Sequence, residues 1–206
     1  MKKIYLIRHG QTDYNLKGIV QGSGVDTDLN DTGREQARAF YERYKLIKFD
    51  KIYISALKRT RQSVQLFLDN GIPYEVHPEL NEISWGNKDG QVISMQDNDE
   101  YIKMVRSWSS GNLEYRIEGG ESPIDVQARQ KIFLKKILPR KEESTILICM
   151  HGRAIRILLS TLMDHDLSCM EQFDHHNLGL YILNYSGEKF SIEKANCMEH
   201  LQDLAR

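Results

Sequence analysis

The sequence predicts an α/β protein, in which a mostly parallel central sheet lies between two helical layers in a three-layer α/β/α sandwich. Two observations support this fold class. Short strand-like runs alternate with longer stretches of helical periodicity along the 206-residue chain. In addition, the runs 4–7 and 146–149 are apolar at every position, which is typical of strands that are covered by helices on both faces.

Six strands are indicated by short runs of apolar and β-branched residues. They are predicted at 3–8, 51–55, 74–77, 145–150, 180–185 and 190–194. The last two are separated by a short polar stretch that includes Gly187, a spacing typical of a hairpin. We therefore expect the sheet to end in an antiparallel hairpin at one edge.

Four long helices occupy most of the intervals between these strands. Thr32 and Glu35 have the spacing of a capping box, which predicts a helix from there to about residue 47. Ser55 is the predicted cap of a helix over 56–68, and Ser122 before Pro123 predicts the start of a helix that ends near residue 138. A fourth helix is expected over 153–163.

We expect residues 1–206 to form a single domain, in which residues 82–120 are an inserted lid over the sheet. This lid segment contains several glycines, a helical patch between about 94 and 108, and both tryptophans, Trp85 and Trp108. No proline- or serine-rich linker and no internal repeat divides the chain.

The charge balance limits the classes of partner. Lys plus Arg number 28 and Asp plus Glu number 29, for a net charge of −1, whereas a dedicated nucleic-acid-binding protein usually carries a basic excess. No apolar run approaches the roughly 20 residues of a membrane span, and the run 4–7 is too short for a signal peptide. We therefore expect neither nucleic acid nor a membrane as a partner. The sequence does not determine the oligomeric state, and a homodimer is one of the alternatives left open.

The cysteines bear on the compartment. Cys149, Cys169 and Cys197 are odd in number and show no CxxC spacing. Free thiols in a reducing environment are the simpler interpretation, and they predict a cytoplasmic protein.

Two of the predicted strands end in similar chemistry. The first runs into Arg8-His9-Gly10, and the strand 145–150 runs into His151-Gly152. Ligands of open α/β sheets bind at the carboxyl edge of the strands, so we expect the two histidines to lie close together there. The glycine after each histidine permits a tight turn and a close approach of the backbone to a ligand.

Two arginines add anion-binding capacity at the same edge. Arg8 offers a planar fork of donors that suits a phosphate or a carboxylate. Arg59 is expected about one turn into a helix, near its positive N-terminus. Together with the two histidines they match a phosphoryl group, because a neutral imidazole can attack phosphorus and the cations can stabilise the transition state. Glu82, at the start of the lid segment, is a candidate donor of the proton that the leaving oxygen needs.

With these residues in place, the chain resembles the histidine phosphatase superfamily, also called the phosphoglycerate mutase-like family. The resemblance runs in the family's order from residue 3 to about residue 201. The similar stretches are LIRHGQT at 6–12 followed by Asn15, LNDTG with QA at 29–37, SALKRT at 55–60, LNE at 80–82 with Gly86 and Gly90, GGES at 119–122, HG at 151–152, and Asn196 with HL at 200–201.

The resemblance implies a phosphomonoester hydrolase that acts on a small phosphorylated metabolite through a phosphohistidine. It implies that His9 is the phosphorylated nucleophile and that Glu82 is the proton donor. Arg8, Arg59 and His151 complete the implied catalytic set. The predicted phosphate- and substrate-binding residues are Arg8, Asn15, Gln21, Gly22, Arg59, His151, Gly152 and Arg153. Neither a metal nor an organic cofactor is expected.

A 2,3-bisphosphoglycerate-dependent phosphoglycerate mutase is the alternative within the family. Such mutases typically carry HGNS as their late motif and an adjacent pair of arginines in the lid. This chain has HGRA at 151–154, and Arg106, Arg129 and Arg140 have no adjacent arginine. These departures, together with a shorter lid, favour a phosphatase.

Two interpretations come from other functional classes. The stretches DTD at 26–28 and DHH at 174–176 superficially resemble metal-binding patterns of metallophosphoesterases, although the order of strands and motifs does not otherwise fit. A non-catalytic phosphate-binding module would keep the pocket without turnover, but the presence of all the core residues favours an enzyme. Whether His175 or His176 contacts substrate is left open.

Arg153 is a departure with physical content. A cation near a helix N-terminus is electrostatically unfavourable by some tenths of a kcal/mol. A second anionic group on the substrate or a neighbouring carboxylate would compensate it, and the sequence favours neither.

Overall fold

The computed structural model describes residues 1–91 and 99–205. Within these residues six strands form one sheet, namely β1 Lys2–Arg8, β2 Lys51–Ile54, β3 Tyr74–Val76, β4 Thr145–Met150, β5 Leu180–Tyr185 and β6 Phe190–Cys197. Their order across the sheet is β3-β2-β4-β1-β5-β6. The first four strands of the chain run parallel, whereas β5 is antiparallel to both β1 and β6. The predicted mostly parallel sheet and its closing hairpin are confirmed.

Helices connect the strands of this sheet. The α-helices in the described part of the chain are α1 Asp13–Leu16, α2 Asp31–Tyr44, α3 Lys58–Asp69, α4 Asp99–Ser109, α5 Pro123–Ile137 and α6 Gly152–Leu162. Short 3₁₀ helices lie at Pro78–Leu80, Gly86–Lys88, Leu167–Gln172 and Glu199–Ala205. None of the helices in the described residues is both long enough and apolar enough to cross a membrane.

The helix starts test the predicted caps. Ser122 caps α5 as predicted, and its hydroxyl accepts the backbone N–H of Asp125. The predicted cap at Thr32 is wrong, because α2 starts earlier and the side chain of Asn30 accepts the Gly33 N–H at 2.9 Å. The predicted cap at Ser55 is also wrong, because α3 starts only at Lys58 and has no side-chain cap.

Both faces of β1 are buried. Ile4 and Leu6 belong to one core cluster, which includes residues of α5 and α6, whereas Tyr5 and Ile7 belong to a second cluster, which includes residues of α2 and α3. Successive side chains of a strand point to opposite faces of the sheet. The apolar run 4–7 therefore reflects helices packed on each side, which is the predicted three-layer arrangement.

Part of the segment that follows Glu82 packs on the first of these clusters. Trp85 and Trp108 are buried in it, with ring centroids 6.2 Å apart, and the Trp108 indole donates to the Tyr115 carbonyl at 2.7 Å. The helical patch predicted from about residue 94 is seen as α4 from Asp99. The first positions of that prediction lie outside the described residues.

Trp108 gives a test of this packing. We expect Trp108→Ala to lower the free energy of unfolding by about 3–5 kcal/mol, because it removes a large buried side chain and leaves a cavity. Leu46→Ala is the matched control and should change it by less than about 0.5 kcal/mol, since Leu46 is 88 % exposed. Urea denaturation measures both variants. Equal midpoints for the two would contradict the packing described here.

Candidate active site

The register of two neighbouring strands brings two histidines together. Arg8 in β1 pairs with Met150 in β4, so each chain reaches its histidine at the same level of the sheet. The His9 N–H donates to the Met150 carbonyl at 3.0 Å. The ring centroids of His9 and His151 are 5.1 Å apart. The proximity expected from the strand ends is therefore present.

The tautomer of His9 follows from its hydrogen bond. Its Nδ1 lies 2.7 Å from the carbonyl oxygen of Gly10, which can only accept, so Nδ1 carries the proton and Nε2 keeps its lone pair. His9 is only 2 % exposed. Burial, and then the nearby guanidiniums of Arg59 and Arg8, hold its pKa well below the usual value of imidazole. His9 is thus a neutral imidazole with a free Nε2 at neutral pH.

His151 is held by Arg59 and Ser55. The Arg59 Nε donates to His151 Nδ1 at 3.2 Å, so the ring proton lies on Nε2 and is donated to the Ser55 hydroxyl at 2.8 Å. Burial is the main reason that the pKa of His151 lies well below its usual value. Burial also lowers the pKa of Arg59 to about 10, which leaves this arginine charged at pH 7. A fixed positive charge therefore lies against the buried histidines.

Glu82 sits at the N-terminus of α6. Its Oε2 accepts the Arg153 N–H at 3.0 Å, and its Oε1 accepts the N–H groups of Ala154 at 2.9 Å and Ile83 at 3.0 Å. The amides of Arg153 and Ala154 belong to the positive end of the α6 dipole, which favours an anion there. A carboxylate offers about four lone-pair sites. The three hydrogen bonds from backbone N–H groups leave one lone-pair site of the Glu82 carboxylate for a proton or a ligand.

Arg129 of α5 fixes the backbone around Glu82. Its Nη1 donates to the Glu79 carbonyl at 2.7 Å, and its Nη2 donates to the Glu82 carbonyl at 3.2 Å. The same guanidinium forms a two-point ion pair with Glu121, at 2.8 and 3.0 Å. Glu121 in turn accepts the Ser84 N–H at 3.0 Å. The position of the acid is therefore determined by two segments that are distant in sequence.

A small cavity of about 110 Å³ opens beside these groups. Its lining residues are Arg8, His9, Asn15, Ile19, Gln21, Glu82, Trp85, Tyr101, Gly152, Arg153 and His175. Arg8 contacts His175 Nδ1 at 3.3 Å through Nη1, whereas its buried Nε has no hydrogen-bond partner in the structure. A buried guanidinium N–H without an acceptor is costly. An anion in the cavity would satisfy it.

Three of the predicted site residues lie behind the cavity wall. Arg59 and His151 are fully buried, and the remaining Arg59 nitrogens donate to the carbonyls of Val25 at 2.7 Å and Gly22 at 3.3 Å. The Gly22 N–H donates to the Asp89 carboxylate at 2.8 Å. In this structure that amide is therefore engaged by Asp89, and Gly22 is not among the residues that line the cavity.

Comparison with known proteins identifies the family. The family model of the histidine phosphatase superfamily, branch 1, matches residues 4–198. The chain belongs to the histidine phosphatase superfamily. The resemblance stated from the sequence motifs is confirmed.

Relatives within the superfamily carry several activities in their names. Phosphoserine phosphatase 1 of Hydrogenobacter thermophilus is 27 % identical over 205 residues, which cover 99 % of this chain and 96 % of the relative. "Probable phosphoglycerate mutase GpmB" of an Enterobacter species is 32 % identical over 165 residues, or 79 % of this chain and 75 % of the relative. The mycobacterial glucosyl-3-phosphoglycerate phosphatase, solved with VO3, matches with a TM-score of 0.83 and 24 % identity over 96 % of this chain and 100 % of that one. The last comparison shows the shared fold.

Several contacts in the site of this superfamily member were not predicted from the sequence. Asn177 donates to the His9 carbonyl at 2.9 Å and to Asn15 Oδ1 at 3.2 Å. Asp89 holds the loop at Gly22, and Ser55 binds His151. Asn177 follows the DHH stretch and had no recognised motif. Ser55 lies inside the SALKRT stretch, where its position just before a helix pattern suggested a cap.

The two metal-like stretches do not converge. Asp26 accepts the Lys58 N–H at 2.8 Å, and Asp28 accepts the Gln62 amide at 2.7 Å. His175 contacts Arg8 in the cavity, whereas His176 Nδ1 pairs with the Asn196 amide at 2.6 Å. Among residues 1–91 and 99–205, no group of three or more histidine, cysteine or acidic side chains is arranged to hold a metal ion.

The buried histidines predict how stability depends on pH. Burial holds the pKa values of His9 and His151 well below normal, lowers that of His175 to about 2 and lowers that of His200 to about 4. The unfolded chain therefore binds more protons below about pH 6.5, so the free energy of unfolding falls as the pH falls. Each histidine contributes a slope of up to about 1.4 kcal/mol per pH unit between about pH 6.5 and its folded-state pKa.

Urea denaturation between about pH 7.5 and pH 5 measures this slope. Carboxylates with lowered pKa values contribute only below about pH 4.5, so this window isolates the histidines. His175→Asn should flatten the profile, whereas the exposed His165→Asn should leave it unchanged. A stability that is constant between pH 7.5 and pH 5 would rule out neutral buried histidines.

Proposed function

We propose that this protein is a metal-independent phosphomonoesterase that hydrolyses a small phosphorylated metabolite through a phosphohistidine at His9. One observation carries the proposal. A neutral, buried imidazole has its Nε2 free, and two guanidiniums lie close enough to lower its pKa. That combination suits attack on a phosphorus whose oxygens need positive charge.

The first step forms a bond between His9 Nε2 and phosphorus and breaks the bond between phosphorus and the ester oxygen. The leaving oxygen takes a proton from Glu82, whose fourth lone-pair site is available to carry one. The buried Nε of Arg8 donates to a phosphoryl oxygen, and the charge of Arg59 stabilises the transition state from behind the histidines. Asn15 and Gln21 lie on the cavity wall beside the phosphoryl group.

The second step returns the enzyme to its starting state. Water attacks phosphorus, its proton goes to Glu82, and the nitrogen–phosphorus bond breaks to release inorganic phosphate. The helix amides at Arg153 and Ala154 keep the Glu82 carboxylate in place through both steps. General acid–base catalysis of this kind contributes about 10²- to 10⁴-fold.

The size of the site supports a small substrate. A cavity of about 110 Å³ is well below the roughly 300–1,000 Å³ of drug-sized ligand pockets. The names of relatives, which include a phosphoserine phosphatase, agree with a compact phosphoester. We place the activity in the cytoplasm because the described cysteines are free thiols. We also propose that residues 1–206 form one domain, in which the lid segment 82–120 is inserted.

A mutase is the second candidate because one relative carries that activity in its name. Arg153 replaces the Asn of the HGNS motif, and neither Arg106 nor Arg129 has an adjacent arginine. We therefore expect 3-phosphoglycerate with a bisphosphoglycerate primer to yield free phosphate faster than 2-phosphoglycerate. Faster formation of 2-phosphoglycerate would favour the mutase.

The basic test uses p-nitrophenyl phosphate in excess EDTA. We expect release of nitrophenol and, after rapid quenching, a phosphorylated protein whose label is stable in base and labile in acid, as a phosphohistidine is. Binding of phosphate without turnover would instead indicate a non-catalytic module. Loss of activity in EDTA, restored by a divalent cation, would indicate a metallophosphoesterase.

A further inference from the structure

Two arginines of one helix share one carboxylate, and one of them lines the cavity. Arg153 and Arg156 both form ion pairs with Glu171, each through its Nη1 and a different carboxylate oxygen. The two arginines lie in α6, and Glu171 lies in the 3₁₀ helix Leu167–Gln172. One carboxylate is thus shared by two guanidiniums. Arg153 and Arg156 are called the arginine pair below.

Arg153 is the member of the pair that faces the cavity. Arg153 lines the cavity, although its side chain is only 7 % exposed. It donates to the Tyr101 hydroxyl at 2.9 Å and lies 5.5 Å from the centre of the Trp108 ring. Its own backbone N–H binds Glu82. The residue that carries this cation therefore also contacts the proposed acid through its backbone.

The charge around the pair favours another anion. The Nε of Arg156 is buried and has no hydrogen-bond partner in the structure. His175 also lines the cavity; burial, and then the positive charges of Arg8, Arg156 and Arg153, lower its pKa. The Asp174 carboxylate also interacts with Arg156, whereas the ion pair of the Arg153 guanidinium is with Glu171.

Glu171 is an exchangeable partner. Its side chain is 37 % exposed, whereas that of Arg153 is 7 % exposed. Ion pairs of exposed carboxylates contribute little net stability, because water competes for the carboxylate. A carboxylate that enters from the cavity would meet the same planar guanidinium fork, and Glu171 would stay paired with Arg156 or turn to solvent.

We propose that Arg153 binds a carboxylate of the substrate, so that the preferred substrate is a compact phosphoester that also carries a carboxylate. This inference rests on the proposed phosphatase activity and adds the substrate class. The small cavity requires that the two anionic groups be only a few bonds apart. Ile19 and Trp85 contribute apolar lining to the same cavity. The sequence left open two compensations for the Arg153 charge. The structure shows the neighbouring carboxylate, Glu171, and a substrate carboxylate would replace it in the complex.

The test compares two substrates of equal carbon number. 3-Phosphoglycerate has a carboxylate where glycerol 3-phosphate has a hydroxymethyl group, so their ratio of kcat/KM isolates the second anion. We expect the wild-type protein to prefer 3-phosphoglycerate by at least about tenfold, the size of one charge-assisted interaction. p-Nitrophenyl phosphate is measured in parallel as a substrate without a carboxylate.

Three variants are expected to change this kcat/KM ratio: two lower it and one raises it. Arg153→Met should bring the ratio to within about threefold of unity, and Arg153→Lys should keep part of the preference, because a lysine retains the charge without the fork. Glu171→Gln should raise the preference, because it removes the competing carboxylate while leaving Arg153 intact. A role of Arg153 that is only structural would lower both substrates equally and would give no opposite effect at Glu171.

The outcomes separate the two proposals. If the wild-type protein hydrolyses p-nitrophenyl phosphate and does not discriminate between the two glycerol derivatives, the carboxylate site is wrong and the phosphatase stands. The same conclusion follows if Arg153→Met retains the full preference. If no phosphoester is hydrolysed, the proposed function fails and the carboxylate site fails with it. Because Glu171 is partly exposed, its variant tests the site even if Arg153→Met does not fold.

Discussion

His9→Ala is expected to lower kcat by about 10⁴-fold or more and to abolish the phosphorylated protein. The substitution removes the only nitrogen that we propose to bond to phosphorus, and loss of a nucleophile has effects of this size or larger. Rapid-quench labelling with a radiolabelled phosphoester measures the intermediate, and release of inorganic phosphate measures turnover. The folded state should persist, because the variant removes a buried imidazole that is not part of the two core clusters.

The matched control for this variant is His165→Ala. His165 is exposed and pairs with the Gln172 amide, so its loss should affect neither the label nor the rate. If a base-stable, acid-labile label persists in His9→Ala, the nucleophile is a different residue. A label that vanishes while turnover continues would indicate direct attack by water.

Glu82→Gln is expected to lower kcat on an alkyl phosphate by about 10²- to 10⁴-fold, because the amide cannot donate the proton that an alkoxide needs. The loss on p-nitrophenyl phosphate should be much smaller in the phosphorylation step, since nitrophenolate leaves without protonation. Single-turnover kinetics with glycerol 3-phosphate and p-nitrophenyl phosphate measure this difference. The contrast between leaving groups is the signature of an acid.

Glu79→Gln is the matched control for Glu82. It lies three residues earlier, and its side chain pairs with Lys136 outside the cavity, so both substrates should react as in the wild type. An equal loss on both substrates in Glu82→Gln would show that the carboxylate only positions the N-terminus of α6. The amide then fails because it cannot accept all three backbone N–H bonds.

Local patterns were sufficient for most of the fold. The runs 4–7 and 146–149 are apolar throughout, and the structure places them in the two central strands, covered on both faces. The Ser122-Pro123 pair starts α5 as predicted. These features depend on neighbouring residues in the sequence, so sequence alone can show them.

The caps and the supports of the site depend on tertiary contacts instead. Ser55 has the sequence position of a cap, but its hydroxyl binds His151, which is 96 residues away. Asn177 reaches His9 across a separation of 168 residues. Such contacts exist only once β2, β4 and β1 have paired. The motifs located His9, Glu82 and His151 but could not show which atoms hold them, and the roles of these residues stay predictions.

The hydrogen bond from the His9 N–H to the Met150 carbonyl has a consequence for dynamics. It joins the residue directly after β1 to the last residue of β4, and these are the middle strands of the six. Amides at such positions exchange with solvent mainly when the whole molecule opens. The spacing of the two histidines is therefore as persistent as the fold itself. Surface substitutions that reduce global stability should shorten the lifetime of the active enzyme without changing its rate per folded molecule.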